Sequence, residues 1–179
     1  MVKVSLKYGG ILLITAVVCA FLVSSVYMIV DPIVKARTIQ KVRDNLNLIY
    51  SGSSFEYNDI TADYTIEKIS HADAVYKITL EDGSNNYVYE MSPEGRNDEI
   101  LFLIAFDTTG TVKKIQYVQM RETKGRGDKI TLDNYLNKIY NQNAKDMDVD
   151  MITGATYSSR AMKESIEASS THLIEEVLK

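Results

Sequence analysis

The chain opens on a run with no polar alternation: from Gly9 to Val30, GGILLITAVVCAFLVSSVYMIV passes without a charge. As a helix rising about 1.5 Å per residue, such a run crosses a hydrocarbon core of about 30 Å and predicts a single transmembrane helix. It exceeds the apolar region of a cleaved signal peptide, and VYMIVDPIV offers no small-x-small cleavage site. Asp31-Pro32 breaks or restarts the helix. Ala36 to Tyr50 then places Ile39, Val42, Leu46 and Ile49 at spacings of three and four, an amphipathic helix just outside the membrane, ended by Ser51-Gly52-Ser53-Ser54.

From Phe55 the period shortens. Short runs rich in Tyr, Ile, Val and Thr alternate with turn residues, predicting strands at Tyr64–Ile69, Ala74–Leu80, Tyr87–Met91, Ile100–Phe106 and Val112–Met120. Glu81 to Asn86 and Asp107 to Gly110 are short connections that suggest antiparallel hairpins. LFLIAF is apolar on both faces and belongs in the centre of the sheet. Thr131–Tyr140 reads as one short helix with Leu132, Tyr135, Leu136 and Ile139 on one side, and Asn141–Asp150 as a polar loop. A closing helix from Ser158 or Ser159 to Leu178 carries Met162, Ile166, Ser169, Leu173, Ile174 and Val177 along one stripe. The expected fold class is α+β: an antiparallel sheet packed by helices, on an N-terminal membrane anchor. Three segments follow: 1–30 as tip and transmembrane helix, 31–54 as juxtamembrane helix, and 55–179 as the folded domain.

Charge narrows the partners. All 24 acidic residues follow Val30, against 18 basic ones there, so the domain is acidic and no nucleic-acid binder. Counting basic residues beside the span (Lys3 and Lys7 before it; Lys35, Arg37, Lys41 and Arg43 after it) puts the C-terminal side in the cytoplasm, although Asp31 and Asp44 interrupt the second group. The lone cysteine, Cys19, lies within the span, and the rest offers only His71 and His172. That excludes iron–sulfur ligation, c-type haem and a Cys/His zinc site, so no metal is expected; electrons crossing this domain need an organic cofactor. Both histidines read as surface residues without acid–base partners, and Asp128-Lys129 as a solvated surface pair. No catalytic residue is expected.

Two stretches carry the candidate chemistry. In DMITGATYSSRAM, Thr153 has the character of a helix N-cap, with Gly154 and Ala155 in the first turn. The same geometry also suits phosphate, because a helix N-terminus presents unpaired N–H groups and about half a positive charge. Small residues at Gly154 and Ala155 permit close approach, with the Thr156 and Ser158 hydroxyls beside them. In RETKGRGDKI, Glu122, Thr123, Gly125 and Gly127 follow a strand directly. They read either as a backbone-lined ligand loop or as a charged hairpin exit kept flexible by glycines.

Asp150-Met151-Ile152-Thr153-Gly154-Ala155-Thr156 resembles the D-x-x-(S/T)-G-A-(T/S) signature at which a flavin transferase joins flavin mononucleotide (FMN) to a hydroxyl through its phosphate, and every specified position matches. The family it resembles is the FMN-binding subunit of Rnf and Nqr respiratory complexes, the G subunit of Rnf and the C subunit of Nqr. One N-terminal transmembrane helix and an E-T-x-G-x-G loop, here Glu122 to Gly127, agree with it. Lys124 and Arg126 depart from the family's usual E-T-P-G-L-G, and the glycine-rich turn before the central strand is reduced to Gly95.

The resemblance implies a covalent FMN on Thr156, read by the transferase through Asp150, Thr153, Gly154 and Ala155, with Ser158 near the phosphate and Tyr157 against the flavin. It implies a ring-side loop at Glu122, Thr123, Gly125 and Gly127. It further implies a single-pass protein of the bacterial inner or plasma membrane with its domain extracytoplasmic, opposite to the charge count. Its role there is an electron-relay subunit beside the other subunits of an Rnf-type complex that moves electrons from ferredoxin to NAD and translocates Na⁺ or H⁺. As a redox subunit of that oxidoreductase and ion translocase, it has no turnover of its own. The alternatives are the C subunit of an Nqr-type complex and a stand-alone anchored FMN domain.

Overall fold

The computed structural model describes residues 13, 15–22, 24, 40–64, 66 and 69–179. The chain divides into two units, Met1–Asp44 and Asn45–Lys179. In the first, residues 13, 15–22 and 24 are helical. No helix among the described residues is long and apolar enough to cross a membrane. The remainder of the predicted span over Gly9–Val30 lies outside the described residues, as do residues 36–39 of the predicted amphipathic helix.

In the second unit, five strands pair in chain order, all antiparallel: β1 (Phe55–Asp59), β2 (Ala72–Leu80), β3 (Asn85–Met91), β4 (Leu101–Asp107) and β5 (Val112–Gln119). The register explains the hydrophobic pattern. Val75, Tyr89, Ile104 and Ile115 align across four strands, and Met91, Phe102 and Tyr117 across three; the first six belong to the main core, with Tyr117 packed against it. One residue along, Tyr76, Val88 and Ala105 align on the opposite face and are buried too. That face meets the end of α1, residues 40–49: Leu46 is fully buried, Asn86 Nδ2 donates to Tyr50 Oη (3.1 Å) and Lys114 Nζ to the Leu48 carbonyl (2.6 Å). β4 therefore needs apolar side chains in both directions, and Phe102 to Phe106 are all buried. The β4–β5 turn is held by Asp107, whose carboxylate accepts the N–H and hydroxyl of Thr109 and the N–H of Thr111. Partial burial pushes this carboxyl up, but those bonds and Lys113 outweigh it and hold it at about 2.

The main face is covered by the C-terminal helices, α2 (Asp133–Ile139) and α3 (Thr156–His172), the latter continued by a π turn at Leu173–Val177. Tyr117 ties both layers, donating its hydroxyl to the Ile130 carbonyl (2.9 Å) and lying 3.8 Å from Met162 Sδ. The expected apolar stripe is present, with Met162, Ile166, Ser169 and Leu173 buried.

Three expectations change. The predicted strand at Tyr64–Ile69 is not seen at its described residues, 64, 66 and 69: Ile66 N–H bonds back to the Tyr64 carbonyl and Ile69 N–H to that of Ile66, and both isoleucines enter the core. The edge position is taken by β1, which ends where Asp59 accepts the N–H of Thr61. α3 begins at Thr156, before Ser158. His172 is half-buried and not without a partner, since its Nδ1 sits 2.9 Å from the hydroxyl of the fully buried Tyr89, with Tyr64 packed edge-on against its ring.

Burial lowers the pKa of His172, against a smaller opposing pull from Glu176. The folded state thus favours neutral imidazole beside the Tyr89 hydroxyl. Stability is fully present above the ordinary histidine pKa of about 6.5 and falls as the pH drops through the lower folded value. Urea unfolding at about pH 7.5 and about pH 5 should show a drop in midpoint for the native chain and a smaller drop for His172→Gln. Equal drops would refute this role.

Candidate functional site

The β3–β4 connection, the exit of β5 and the start of α3 converge at one end of the sheet. Glu122 binds them together. Its Oε1 accepts the backbone N–H groups of Arg96 (2.8 Å) and Asn97 (3.2 Å), and its Oε2 accepts the Ser158 hydroxyl (2.8 Å). The carboxylate lies between Gly95 and Gly127, and a Cβ on either would run into it. Beside it, Asn97 Nδ2 donates to Thr123 Oγ1 (2.9 Å). Glu122, Thr123 and Gly127, expected beside a flavin ring, thus have their close contacts within the protein, and Gly127 makes room for Glu122 and Ser158.

Two turns of one design face the cleft. In Thr123-Lys124-Gly125-Arg126 and in Ile152-Thr153-Gly154-Ala155, the fourth N–H returns to the first carbonyl (3.1 and 3.0 Å) and the third residue is a glycine with positive φ, +74° and +83°. A turn of this kind requires φ above zero at its third position and favours proline at its second. Lys124 stands where the family pattern has proline, and the turn closes regardless. Gly154 is therefore a turn residue, and the chain enters α3 directly after it.

The hydroxyls of DMITGATYSSRAM separate by what they touch. Ser159, fully buried, accepts the Ile152 N–H (3.0 Å) and donates to the Ala155 carbonyl (2.9 Å), pinning the turn to the helix. Ser158 is held by Glu122. Thr153 does not cap: Ala155 is the N-cap, no side chain bonds there, and the first turn carries no acidic residue. Thr156 is the first helical residue, exposed, and its hydroxyl has no hydrogen-bond partner among the described residues.

Thr156 lines a cleft of about 160 Å³ together with Arg96, Asn97, Arg126, Gly154, Tyr157 and the Glu122 side. Arg96 and Arg126 make no ion pair among the described residues, and the motifs do not include Arg96 at all; only charge beside the glycines hints at the two in the sequence. The residues present fit a phosphate ester of FMN. A free hydroxyl, an uncapped helix end and two unpaired guanidinium groups suit one phosphate, and the cleft is too small for a whole flavin nucleotide, since pockets for such ligands start near about 300 Å³. Tyr157 is 64% exposed and free to pack on a ligand. Asp150 points elsewhere, pairing with Lys138 at 2.7 Å with both side chains exposed; that bond holds its carboxyl below the usual range.

Residues 95–170 match the FMN-binding domain family model. This segment is similar to FMN-binding domains. It starts at the glycine beside Glu122 and ends within α3, so it contains every residue of the cleft. The chain is similar to the G subunit of the ion-translocating oxidoreductase complex of Haemophilus influenzae (strain PittEE), 24% identical over 90% of this chain and 86% of the relative. The G subunit of the Pasteurella multocida (strain Pm70) complex is likewise 24% identical, over 98% of this chain and 96% of its own. At 98% of this chain, the second similarity extends beyond the segment matched by the family model to β1, β2 and β3.

Proposed function

We propose that this chain is the electron-relay subunit of a membrane-bound, Rnf-type ion-translocating ferredoxin:NAD oxidoreductase, with FMN held as a phosphoester of Thr156. An FMN-binding domain and relatives named as G subunits support an electron-transport FMN subunit of an ion-translocating oxidoreductase. The observation that carries the Thr156 assignment is the contrast among the helix-start hydroxyls: Ser158 and Ser159 are bonded within the fold, whereas Thr156 is exposed and unpartnered at an uncapped helix end.

A flavin transferase makes the ester during maturation. The Thr156 Oγ1–phosphorus bond forms as the anhydride P–O bond of a flavin dinucleotide breaks, the nucleoside monophosphate leaves with that oxygen, and the hydroxyl proton passes to a base of the transferase. The bound group supplies reversible one- and two-electron transfer. This chain's part is to hold it. The free N–H groups of α3 and the charges of Arg96 and Arg126 face the remaining phosphate charge, the helix end alone contributing from about 0.3 to about 2 kcal/mol. A covalent tether prevents loss of the cofactor on the extracytoplasmic side of the membrane, where the resemblance places the domain.

The decisive test is denaturing gel electrophoresis under ultraviolet light of the chain co-expressed with a flavin transferase. A fluorescent band is expected, and a dark one would overturn the covalent reading. Asp150, as part of the tag read by the transferase, separates recognition from folding. Asp150→Asn removes only an exposed ion pair, so the urea midpoint should stay in place while the band weakens severalfold. A full-strength band would remove Asp150 from the tag.

A further inference from the structure

We propose that the face around Thr156 is a docking surface for the acidic side of the protein that exchanges electrons with this chain. Leu132, Met151 and Tyr157 form its apolar centre, and Lys124, Lys129 and Arg160 its cationic rim. What passes across the surface rests on the Thr156 reading, whereas the surface itself is read from the fold.

Exposed apolar side chains are concentrated here. Among the described residues from 45 onward, the exposed large hydrophobics are Tyr157 (64%), Leu48 (52%), Leu132 (50%) and Met151 (47%). Only Leu48 lies elsewhere, at the end of α1. Tyr157 lines the cleft with Thr156, while Leu132 and Met151 line a neighbouring hollow with Lys129 and Thr153. The two adjoin at Gly154, which lines the cleft and whose Cβ would stand 3.9 Å from the Lys129 Nζ. A single exposed leucine needs no explanation, but a group of such side chains marks an interaction surface.

Charge decides what fits it. Lys124, Lys129 and Arg160 make no ion pair among the described residues. Lys124 is the second residue of the turn whose fourth, Arg126, lines the cleft. Arg160 is exposed one helical turn after Thr156, on the same side of α3. Arg96 and Arg126, which face the phosphate, carry the same sign. Three carboxylates of this end are already engaged: Glu122 in its clamp, Asp98 with Arg121 (3.4 Å) and Asp150 with Lys138 (2.7 Å). Free cations thus surround an apolar centre on a domain that is acidic overall. An apolar middle with a charged rim is the anatomy of a protein interface, and a rim of this sign speeds encounter with a negative partner. A second copy of this chain would instead bring like charges together.

The test uses the full chain, co-expressed with a flavin transferase and kept in detergent, with an acidic plant-type two-iron ferredoxin as the probe. Binding is read by fluorescence anisotropy of labelled ferredoxin, which needs no flavin. Electron transfer is read by stopped-flow bleaching of the flavin, each reduced cluster losing one electron as the flavin gains it. At about 20 mM KCl, Lys124→Glu and Arg160→Glu should each weaken binding and slow transfer severalfold, and the differences should vanish near about 500 mM KCl. Leu132→Ser, at the N-cap of α2 where serine is favoured, should weaken binding with the salt dependence retained. Lys145→Glu is the control: it changes the net charge equally, next to Ala144, which packs by Gly110 with Ile174 and Leu178 beyond the far end of α3. It should leave both readings near the native values. Binding and transfer that ignore salt and both charge reversals would overturn the docking surface. If the ferredoxin readings hold still, while phosphatidylglycerol nanodiscs shield the flavin from acrylamide and both reversals expose it, the face belongs to lipid and the proposal also fails. A dark covalent band from the native chain would overturn the Thr156 reading alone, since the anisotropy still decides the surface.

Discussion

Thr156→Val, co-expressed with a flavin transferase, should lose the ultraviolet-fluorescent band completely, while Thr156→Ser keeps it. Valine matches threonine in shape and removes only the hydroxyl. That hydroxyl is exposed and bonds to nothing in the described fold, so its loss should leave the unfolding midpoint within about 0.5 kcal/mol of the native chain, as for other surface substitutions. Serine restores a primary hydroxyl at the same backbone position and with it the oxygen that the ester needs. The other hydroxyls give the comparison its force. Ser158→Ala and Ser159→Ala each break bonds that join the helix start to its neighbours, so they should lower the midpoint first and the flavin content only through it. A fluorescent band in Thr156→Val would move the attachment to another residue and end the present assignment.

Much of the sheet is legible in the sequence because its burial is regular. β2 to β5 lie within a few residues of the runs read from alternation, and LFLIAF, apolar throughout, is the strand covered on both faces. The difference at Tyr64–Ile69 has a plain cause. A run with Ile66 and Ile69 needs burial, but burial does not require a strand, and both side chains reach the core with their N–H groups bonded within the segment. FEYND, with alternating partial exposure and two acidic residues, carries only the weak signal of an edge strand. His172 escapes for the opposite reason. Nothing local marks it as half-buried and bonded, and its partner Tyr89 comes from β3.

For the site, local sequence shows the positions but not their assignments. TGAT marks a candidate hydroxyl beside a helix start, and Thr156 stands there. The division of labour among Thr153, Ser158 and Ser159 depends on contacts with residues 122, 152 and 155, which a linear motif does not display. The glycines of ETKGRG are legible as close-approach residues, yet Gly125 faces open space and the group approaching Gly127 is Glu122 of the same motif. Arg96 and Arg126, far apart in the chain, become a cation pair only through the sheet that places their loops together.

That arrangement makes Glu122 the residue whose loss should disturb the domain most. Glu122→Ala removes three hydrogen bonds to a carboxylate and leaves a void between Gly95 and Gly127. Bonds to charged groups contribute about 1.5–3 kcal/mol each when well shielded; with this carboxylate only half-buried, a total of about 2–4 kcal/mol is expected from urea unfolding. Gly127→Ala attacks the same contact from the other side. Its backbone tolerates alanine, but the new methyl would overlap both the Glu122 carboxylate and the Ser158 hydroxyl, at about 1–3 kcal/mol for overpacking. Gly125→Ala is the control, since its Cβ would point into open space and only its positive φ resists, at about 1 kcal/mol. Glu122→Gln keeps the volume and both acceptor contacts to residues 96 and 97, with Ser158 accepting from the new amide, so it should fall between the native chain and alanine. If Glu122 instead served the flavin, Gln would change the flavin's spectrum or potential without moving the unfolding midpoint. A clamp predicts the reverse, a lowered midpoint with an unaltered spectrum in the molecules that remain folded.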